Sequence, residues 1–517
     1  MNTPSFGLDD FLPVLPAAIL TAGAILLLVS EVFLGSATRT YQALLAVVTS
    51  VAAGALAFSN AFLPAHAVLQ GYAVLDPFSS FTTVVVCLGT GLGALLGAGF
   101  LKHRNAERGE FYALLLFAAA GMSLLAMSAE FITLFVNLEV LSVSTYALTA
   151  YLRRGPRPSE AGFKYFILGA FAAALLLYGA ALLYGATGTT HLSEMAAGLG
   201  AAAKAQPALV ACGFFLVGAG FAFKVAAVPF HMWTPDVYEG APTPVTAVMS
   251  AGVKAAAFVA LVRVFLFLGP VFDPEVVFVI FSALAAATMV VGNLLAIPQR
   301  NVKRMLAYSS VAHAGYLLSG VAALFAPATV APKSGVLSAS ATWGADSALR
   351  GEALKGLLFY LLAYTVTSLG SFGVVGALER REDETKGNAW DLDRFSGLAQ
   401  RRPFQAAAMA VFLLSLGGIP PTVGFMAKLL VFRAAVDAGL VGLAVLGVLS
   451  SAAGVYYYLR VVVYMYMRPA VEGMQTPERQ WTTEFALAAS ALAVVGLGLL
   501  PGSVSDWLSR AGLIFGQ

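Results

Sequence analysis

Apolar positions along this chain neither alternate nor form narrow stripes; they run together in long blocks separated by short polar stretches. A helix crossing the hydrocarbon core of a bilayer needs about 20 consecutive apolar residues. Fourteen blocks meet that need, near 11–33, 41–61, 76–100, 110–128, 130–152, 160–185, 207–238, 242–268, 272–296, 302–325, 354–378, 405–438, 440–467 and 482–500. The pattern predicts an all-α integral membrane protein of about 14 transmembrane helices. Two blocks are broken, one by Pro229 and Pro235, the other by Gly417-Gly418-Ile419-Pro420-Pro421. Proline removes a backbone donor, and lipid tolerates such a break only where it is buried in protein or lines a wet cavity. Two discontinuous helices in corresponding places, each with a lysine nearby, fit a transporter built from two inverted five-helix repeats with its ion path at the midplane. The expected organisation is residues 1–108 for helices 1–3, 109–270 and 271–468 for the repeats, and 469–517 for a last helix and tail. The repeat rests on the breaks, because internal sequence similarity is weak.

Composition agrees. Hydrophobic residues make up 59% of the chain, charged residues 11%, and mean hydropathy is +0.83, whereas soluble domains carry about 25% charged residues. The net charge of +3 suggests no nucleic-acid partner. Cys87 and Cys212 lie apart in apolar runs and make neither a zinc nor an iron–sulfur site. The first block is long and lacks a basic leader, so it is expected to span rather than be cleaved. GTGLGALLGAG (Gly89–Gly99) follows no strand, and is better read as small residues for close helix packing than as a dinucleotide loop.

Charge orients the blocks. Loops on one side hold Arg39; Lys102, Arg104, Arg108; Arg153, Arg154, Arg157; Arg300, Lys303, Arg304; Arg380, Arg381, Lys386, Arg394, Arg401, Arg402; and Arg468, Arg479. The other side holds only Lys204, Lys333, Arg350 and Arg510. Basic loops stay inside, so both termini are expected outside and the number of spans even. Ala326–Arg350 reads as an external loop and Leu378–Arg394 as a solvated internal one.

Eight basic residues remain within blocks. Lys355, Arg263 and Arg433 sit near block ends, where long side chains reach the headgroups; Arg460, in YYYLR, is left open. Lys224, Lys254 and Lys428 lie deep, as does Glu139 in FVNLEVLSV. A lone charge at the midplane costs at least about 2.5–3.5 kcal/mol, so these four point to a path for ions. Lys164 is nearer its block end, where snorkelling competes with function. His313 in SSVAHAGYLL is either a satisfied core histidine or a relay; His231 sits at the first break, free to bond loosened carbonyls with Thr234. Pro242 and Pro244 suit the first turn of a new helix, which would carry Lys254 to the midplane after a wetted re-entrant segment.

The stretches PFHMWTPDVYEGAPTPVTAVMSAGVKAA, GNLLAIPQRNVKRMLAYSSVAHAGYLL and FLLSLGGIPPTVGFMAKL closely resemble signatures of the antiporter-like membrane subunits of proton-translocating NADH–quinone oxidoreductase, respiratory complex I. The similarity runs from roughly the third to the thirteenth block. It is strongest to the N branch, the homologue of mitochondrial chain 2: Lys428 follows the second break where the M branch carries glutamate, and no long lateral helix is expected after the last block. The resemblance implies that Glu139 pairs with Lys224 in a first half-channel, that Lys254 is the central relay, that Lys428 serves a second half-channel, and that Lys164 and His313 match further polar positions. It also implies a bacterial inner membrane location and an M-type neighbour with small membrane subunits as partners. No cofactor is expected in this chain; NADH, FMN, iron–sulfur clusters and quinone are expected in partner subunits. An Mrp-type cation/proton antiporter subunit and a structural membrane anchor of a hydrogenase-like complex are the alternatives. The physics suits proton transport: desolvation disfavours an ammonium and a carboxylate favours it. A swing of about 3 pK units in a lysine is worth roughly 4 kcal/mol, against roughly 3.5 kcal/mol to move one charge across about 150 mV.

Overall fold

The computed structural model describes residues 11–34, 39–269, 272, 274–326, 347–379, 389–470 and 477–508. Its helices are α1 (Leu15–Leu34), α2 (Arg39–Asn60), α3 (Pro77–Lys102), α4 (Gly109–Met127), α5 (Phe131–Thr149), α6 (Pro156–Thr187), α7 (Leu192–Ala205), α8 (Pro207–Val225), α9 (Trp233–Gly240) and α10 (Thr243–Leu268). There follow α11 (Pro274–Ala296), α12 (Val302–Leu324), α13 (Ser347–Leu378), α14 (Pro403–Gly417), α15 (Val423–Asp437), α16 (Val441–Met467), α17 (Trp481–Leu499) and α18 (Gly502–Leu508). Among the described residues, 12 helices are long and apolar enough to cross a membrane. The two other expected blocks fall on α12, whose first turn carries Lys303 and Arg304, and on the pair α14 and α15.

Helix starts follow local chemistry. Pro77, Pro156, Pro207, Pro244 and Pro403 occupy first turns, where a missing N–H costs little. The Asp76 carboxylate accepts from Ser79 N at 2.7 Å and Ser79 Oγ receives Asp76 N in return, a capping box for α3. Glu130 caps α5 by accepting from Thr133 N at 2.7 Å. Sequence reading missed the small hairpin β1 (His66–Val68) and β2 (Ala73–Leu75), and also α7, whose Leu192, Met195, Leu199 and Ala202 are buried at helical spacing.

The core is a set of helices surrounded by other helices. The most apolar stretches of α10 and α13 are 94% and 100% buried, against 33% for α11, α16 and α17. Small residues make the close approach possible: a Cβ on Gly93 of α3 would stand 2.3 Å from Val248 Cγ2 of α10, and one on Gly97 would stand 2.5 Å from Phe111. The packing reading of Gly89–Gly99 therefore holds.

Several charges depart from expectation. Arg263 does not snorkel. It is 2% exposed, lies 2.9 Å from the Asp76 carboxylate, and donates through Nε to Ala126 O at 3.2 Å. The pair joins α10 to the start of α3 and the end of α4, where the buried Asp76 carboxylate supplies the counter-charge. Lys303 and Glu379, assigned to solvated loops, are 0% and 2% exposed. Glu379 lies 2.7 Å from Arg104 and accepts from Thr243 Oγ1 and, at 2.9 Å, from Trp390 Nε1. Residues 380–388 of that loop, and 327–346 of the expected external loop, lie outside the described residues; Arg350 falls on α13. Arg433 is exposed beside Asp437, as its position near a helix end requires.

Replacing Arg263 with Ala leaves Asp76 buried without its cation, at a cost of about 3–5 kcal/mol. The expected outcome is a clearly lower thermal unfolding midpoint for the detergent-solubilised protein, with Arg433→Ala unchanged.

Candidate functional site: a buried lysine and histidine axis

Both sequence breaks end a helix in the same way. At the first, Ala226 adopts the left-handed conformation (φ 60°) and Ala227 N reaches back to Ala222 O at 2.8 Å. At the second, Gly418 does so (φ 79°) and Ile419 N bonds Leu414 O at 3.0 Å. This six-to-one bond is the Schellman ending. The Phe223 carbonyl accepts from Ala226 N at 3.0 Å and also from Trp233 Nε1 at 3.0 Å. Among the described residues His231 Nδ1 and Thr234 Oγ1 make no hydrogen bond, so neither serves this carbonyl. An indole from the next turn is longer and already stacked, its ring 5.3 Å from that of Phe223.

Lys224 lies in the last turn of α8, 5% exposed, and donates to Ser142 Oγ on α5 at 2.7 Å, with the Tyr146 ring 5.7 Å from Nζ. Glu139, one turn earlier on α5, makes no ion pair with Lys224 among the described residues. Its Oε1 is buried without a partner, although the two groups lie close enough to interact through their charges. The expected contact is thus replaced by a hydroxyl. Glu139 turns toward the α5 face on which Val136 and Val143 are exposed, while Ser142 faces α8.

Lys254 is 2% exposed and follows a π turn (Met249–Val253) within α10. Its Nζ donates to Ser310 O and Ser310 Oγ of α12 at 2.5 and 2.6 Å. One turn along α12, His313 is 4% exposed, with Nδ1 2.6 Å from Tyr360 Oη and Nε2 3.3 Å from Tyr458 Oη. Tyr458 Oη is also 2.5 Å from Ser309 Oγ. Beyond the second break, Lys428 is 6% exposed and donates to Leu416 O at 2.7 Å and Ser451 Oγ at 2.6 Å. The Tyr316 ring lies 5.1 Å from its Nζ. Asn293 ties this end together: its Nδ2 donates to Tyr316 Oη at 2.9 Å and its Oδ1 accepts from Tyr457 Oη at 3.0 Å.

The structure therefore gathers Lys254, His313 and Lys428 around α12, with Lys224 on the helix neighbouring α10. Lys224 and Lys254 both point into polar interior, as expected from the prolines. Lys164 is not with them. Its side chain is 39% exposed and pairs with Glu160 at 2.7 Å and Asp236 at 2.9 Å, and Asp236 is held in turn by Arg304 at 2.8 Å. Arg460 caps the end of α11, donating to Ile297 O and Gln299 O at 2.8 and 2.5 Å. Sequence reading missed Ser142, Ser310, Ser451, Tyr360 and Tyr458. The available signal was polar residues three or four positions from a deep charge, as in Glu139-x-x-Ser142 and Ser310-x-x-His313. No cluster of three or more metal-ligating side chains occurs among the described residues. What the arrangement offers is a series of ionisable groups separated by hydroxyls.

A bundle with two broken helices and buried lysines beside them defines a membrane ion-translocating subunit. The chain belongs to the family described as NADH:quinone oxidoreductase/Mrp antiporter membrane proteins, whose pattern it matches over residues 128–331 and 345–454. It is 66% identical over 520 residues to NADH-quinone oxidoreductase subunit N of Myxococcus xanthus, covering 100% of both chains. It is 41% identical to subunit N of Trichlorobacter lovleyi, covering 96% of this chain and 94% of that one. Among solved structures it resembles a chain of respiratory complex I from Thermus thermophilus, with TM-score 0.77, 34% identity, and 96% and 100% of the two chains covered. A chain of the Mrp complex from Dietzia shares the fold, with TM-score 0.78, 23% identity, and 98% and 97% covered.

Gly418 tests the site geometry. A Cβ there would stand 2.8 Å from Lys428 Cδ, at a φ of 79°. The left-handed backbone costs a non-glycine residue about 1–2 kcal/mol. Gly418→Ala should therefore displace Lys428 and slow proton pumping several-fold in vesicles holding the assembled complex, with quinone reduction lowered less.

Proposed function

We propose that this chain is a proton-translocating membrane subunit of respiratory complex I, of the N type, and that protons cross it through Glu139, Lys224, Lys254, His313 and Lys428. The observation that carries this reading is the axis itself: three lysines and a histidine, each at most 6% exposed and bonded to hydroxyls or carbonyls, with Lys224 and Lys428 beside the two helix breaks. Four such groups at depth are costly as packing and useful as carriers. Ser142 gives Lys224 a neutral partner in the state seen here, and Glu139 stands near enough to replace it. Closing that contact would favour the ammonium and opening it would disfavour it, which makes Lys224 a loading site that a shift of α5 could switch. Lys164 serves the surface ion network rather than the path.

The finer architecture follows from the same reading. α12 and the pair α14–α15 complete fourteen crossings. The matching Schellman endings support two inverted repeats, one containing α8 and α9, the other α14 and α15. The basic loops face the cytoplasm and both termini face outside, in the bacterial inner membrane. An M-type subunit packs alongside with small membrane subunits. NADH, FMN, iron–sulfur clusters and quinone belong to partner subunits, so the driving energy arrives from outside this chain.

Lys224→Ala should cut NADH-driven proton pumping at least tenfold in vesicles while the complex still assembles; pumping at the normal rate would refute the carrier role. Glu139→Gln should also impair pumping, and the double variant should be less than additively worse, as for groups acting as a unit.

Orientation has its own check. Pro64, between α2 and β1, is exposed, and Cys212 is the exposed native thiol. Pro64→Cys in a Cys212→Ser background should react with an impermeant maleimide in right-side-out vesicles. Reaction confined to inverted vesicles would reverse the topology.

A further inference from the structure

The hydrogen positions around His313 can be assigned from the network. A neutral imidazole has one donor nitrogen and one acceptor nitrogen, and a tyrosine hydroxyl has one hydrogen to place. Tyr360 is 2% exposed, and among the described residues its hydroxyl has a single hydrogen-bond partner, His313 Nδ1 at 2.6 Å. Were Nδ1 the donor, the Tyr360 hydrogen would be buried without an acceptor, which costs more than the bond gains. Tyr360 therefore donates and Nδ1 accepts. The ring hydrogen then lies on Nε2 and is directed to Tyr458 Oη at 3.3 Å, leaving the Tyr458 hydrogen for Ser309 Oγ at 2.5 Å.

We propose that Tyr360 is a positioning residue that latches His313 in the neutral Nε2–H form, so that His313 takes a proton only when the Tyr360 hydroxyl turns away. This rests on the proton-path reading above. The step balances simply. A proton delivered from the Lys254 side adds to the Nδ1 lone pair and gives the imidazolium, with Nε2–H still donated to Tyr458. Loss of a proton from Nδ1, as the hydroxyl turns back, restores the neutral ring. The groups facing His313 set when this can happen: Lys254 of α10, Tyr316 of α12, Tyr360 and Tyr364 of α13, Lys428 of α15 and Tyr458 of α16. Both lysines act on the ring through their charges. An imidazolium between two ammoniums is repelled from both sides, so the latch yields when one lysine has released its proton. His313 is then a charge store that keeps Lys254 and Lys428 from being loaded together, a role a satisfied core histidine does not have.

Two isosteric variants in the assembled complex test this. Tyr360→Phe keeps the ring and removes the donor. A donor into Nδ1 favours only the neutral form, so its loss lets His313 charge at higher pH. The acid limb of the pumping-versus-pH profile should move up by about one unit, roughly a tenfold change in proton concentration. Tyr458 accepts from Nε2–H in both the neutral and the charged ring, so Tyr458→Phe should slow pumping several-fold without moving the limb. An unmoved limb in Tyr360→Phe, or a limb that moves equally in Tyr458→Phe, overturns the latch. If Tyr360→Phe does not assemble, the histidine 15N shifts of the unsubstituted complex decide: a neutral His313 protonated on Nε2 supports the latch, and one protonated on Nδ1 overturns it. Lys254→Ala separates the two ideas: if it abolishes pumping while Tyr360→Phe behaves as wild type, the latch fails and the path stands; if it pumps normally, the path itself fails.

Discussion

An ammonium or guanidinium inside an apolar bundle must find oxygen lone pairs, and the middle of a regular helix has few to spare. Only the last turn of a helix leaves carbonyls without partners, and the same end carries the negative pole of the helix dipole. This protein meets most of its interior cations there. Lys428 bonds Leu416 O in the last turn of α14, and Lys303 bonds Ala241 O just past α9. Arg263 bonds Ala126 O near the end of α4, and Arg460 bonds the two carbonyls beyond α11. The breaks in the membrane blocks are thus the source of acceptors. Without the proline- and glycine-rich interruption after α14, Lys428 would have no free carbonyl at its depth.

Against that background Lys224 and Lys254 are the exceptions. Lys224 sits at a helix end, but it donates to the hydroxyl of Ser142 rather than to a carbonyl. Lys254 shares a carbonyl already within α12 and adds the hydroxyl of Ser310. A hydroxyl is both donor and acceptor, so it can serve a lysine as ammonium or as amine, whereas a lone carbonyl serves only the donor. Lys224, Lys254 and Lys428 each meet a serine hydroxyl, which tolerates either charge state, whereas Arg263 is held by the Asp76 carboxylate and Ala126 O, and Lys303 bonds Ala241 O. In the sequence, depth set Lys224, Lys254 and Lys428 apart from Arg263, read near a block end, and Lys303, read in a loop; the structure buries all five, and there the three differ by the serine hydroxyl each one meets.

That explains how much could be read from the chain. Block length and the positions of prolines gave the helices, both breaks and the helix start at Thr243, because each follows from local chemistry. Lys224, Lys254, His313 and Lys428 stood out because charge at such depth is rare. The contacts did not, since they join residues far apart: Ser142 to Lys224, Ser310 to Lys254, Asp76 to Arg263, Arg104 to Glu379. Loop polarity misled where a loop folds back into the bundle, as at Glu379 and Trp390, and the pairing of Lys164 with Glu160 and Asp236, away from the other lysines, could not be read from family likeness. The hairpin and α7 were missed because neither is long enough to register against blocks set by bilayer thickness.

The separation of the two lysine groups has a consequence for direction. Lys224 and Glu139 lie at the α5–α8 side, where Glu139 opens onto an exposed apolar face; Lys428 lies under Tyr316 and Ser451 on the other side of α12. Between them stand α10, with Lys254, and α12, whose polar residues Ser309, Ser310, His313 and Tyr316 recur at helical spacing on a segment buried almost throughout. A rigid element of this kind cannot carry protons by moving, so any change of state along it must be a change of hydrogen position or of charge. At the breaks the helix ladder is already interrupted, so a shift there would cost few backbone bonds. On the path proposed above, transport would divide into displacement at the two ends and hydrogen rearrangement at the centre, and a buried histidine with both ring nitrogens bonded suits the middle better than either break.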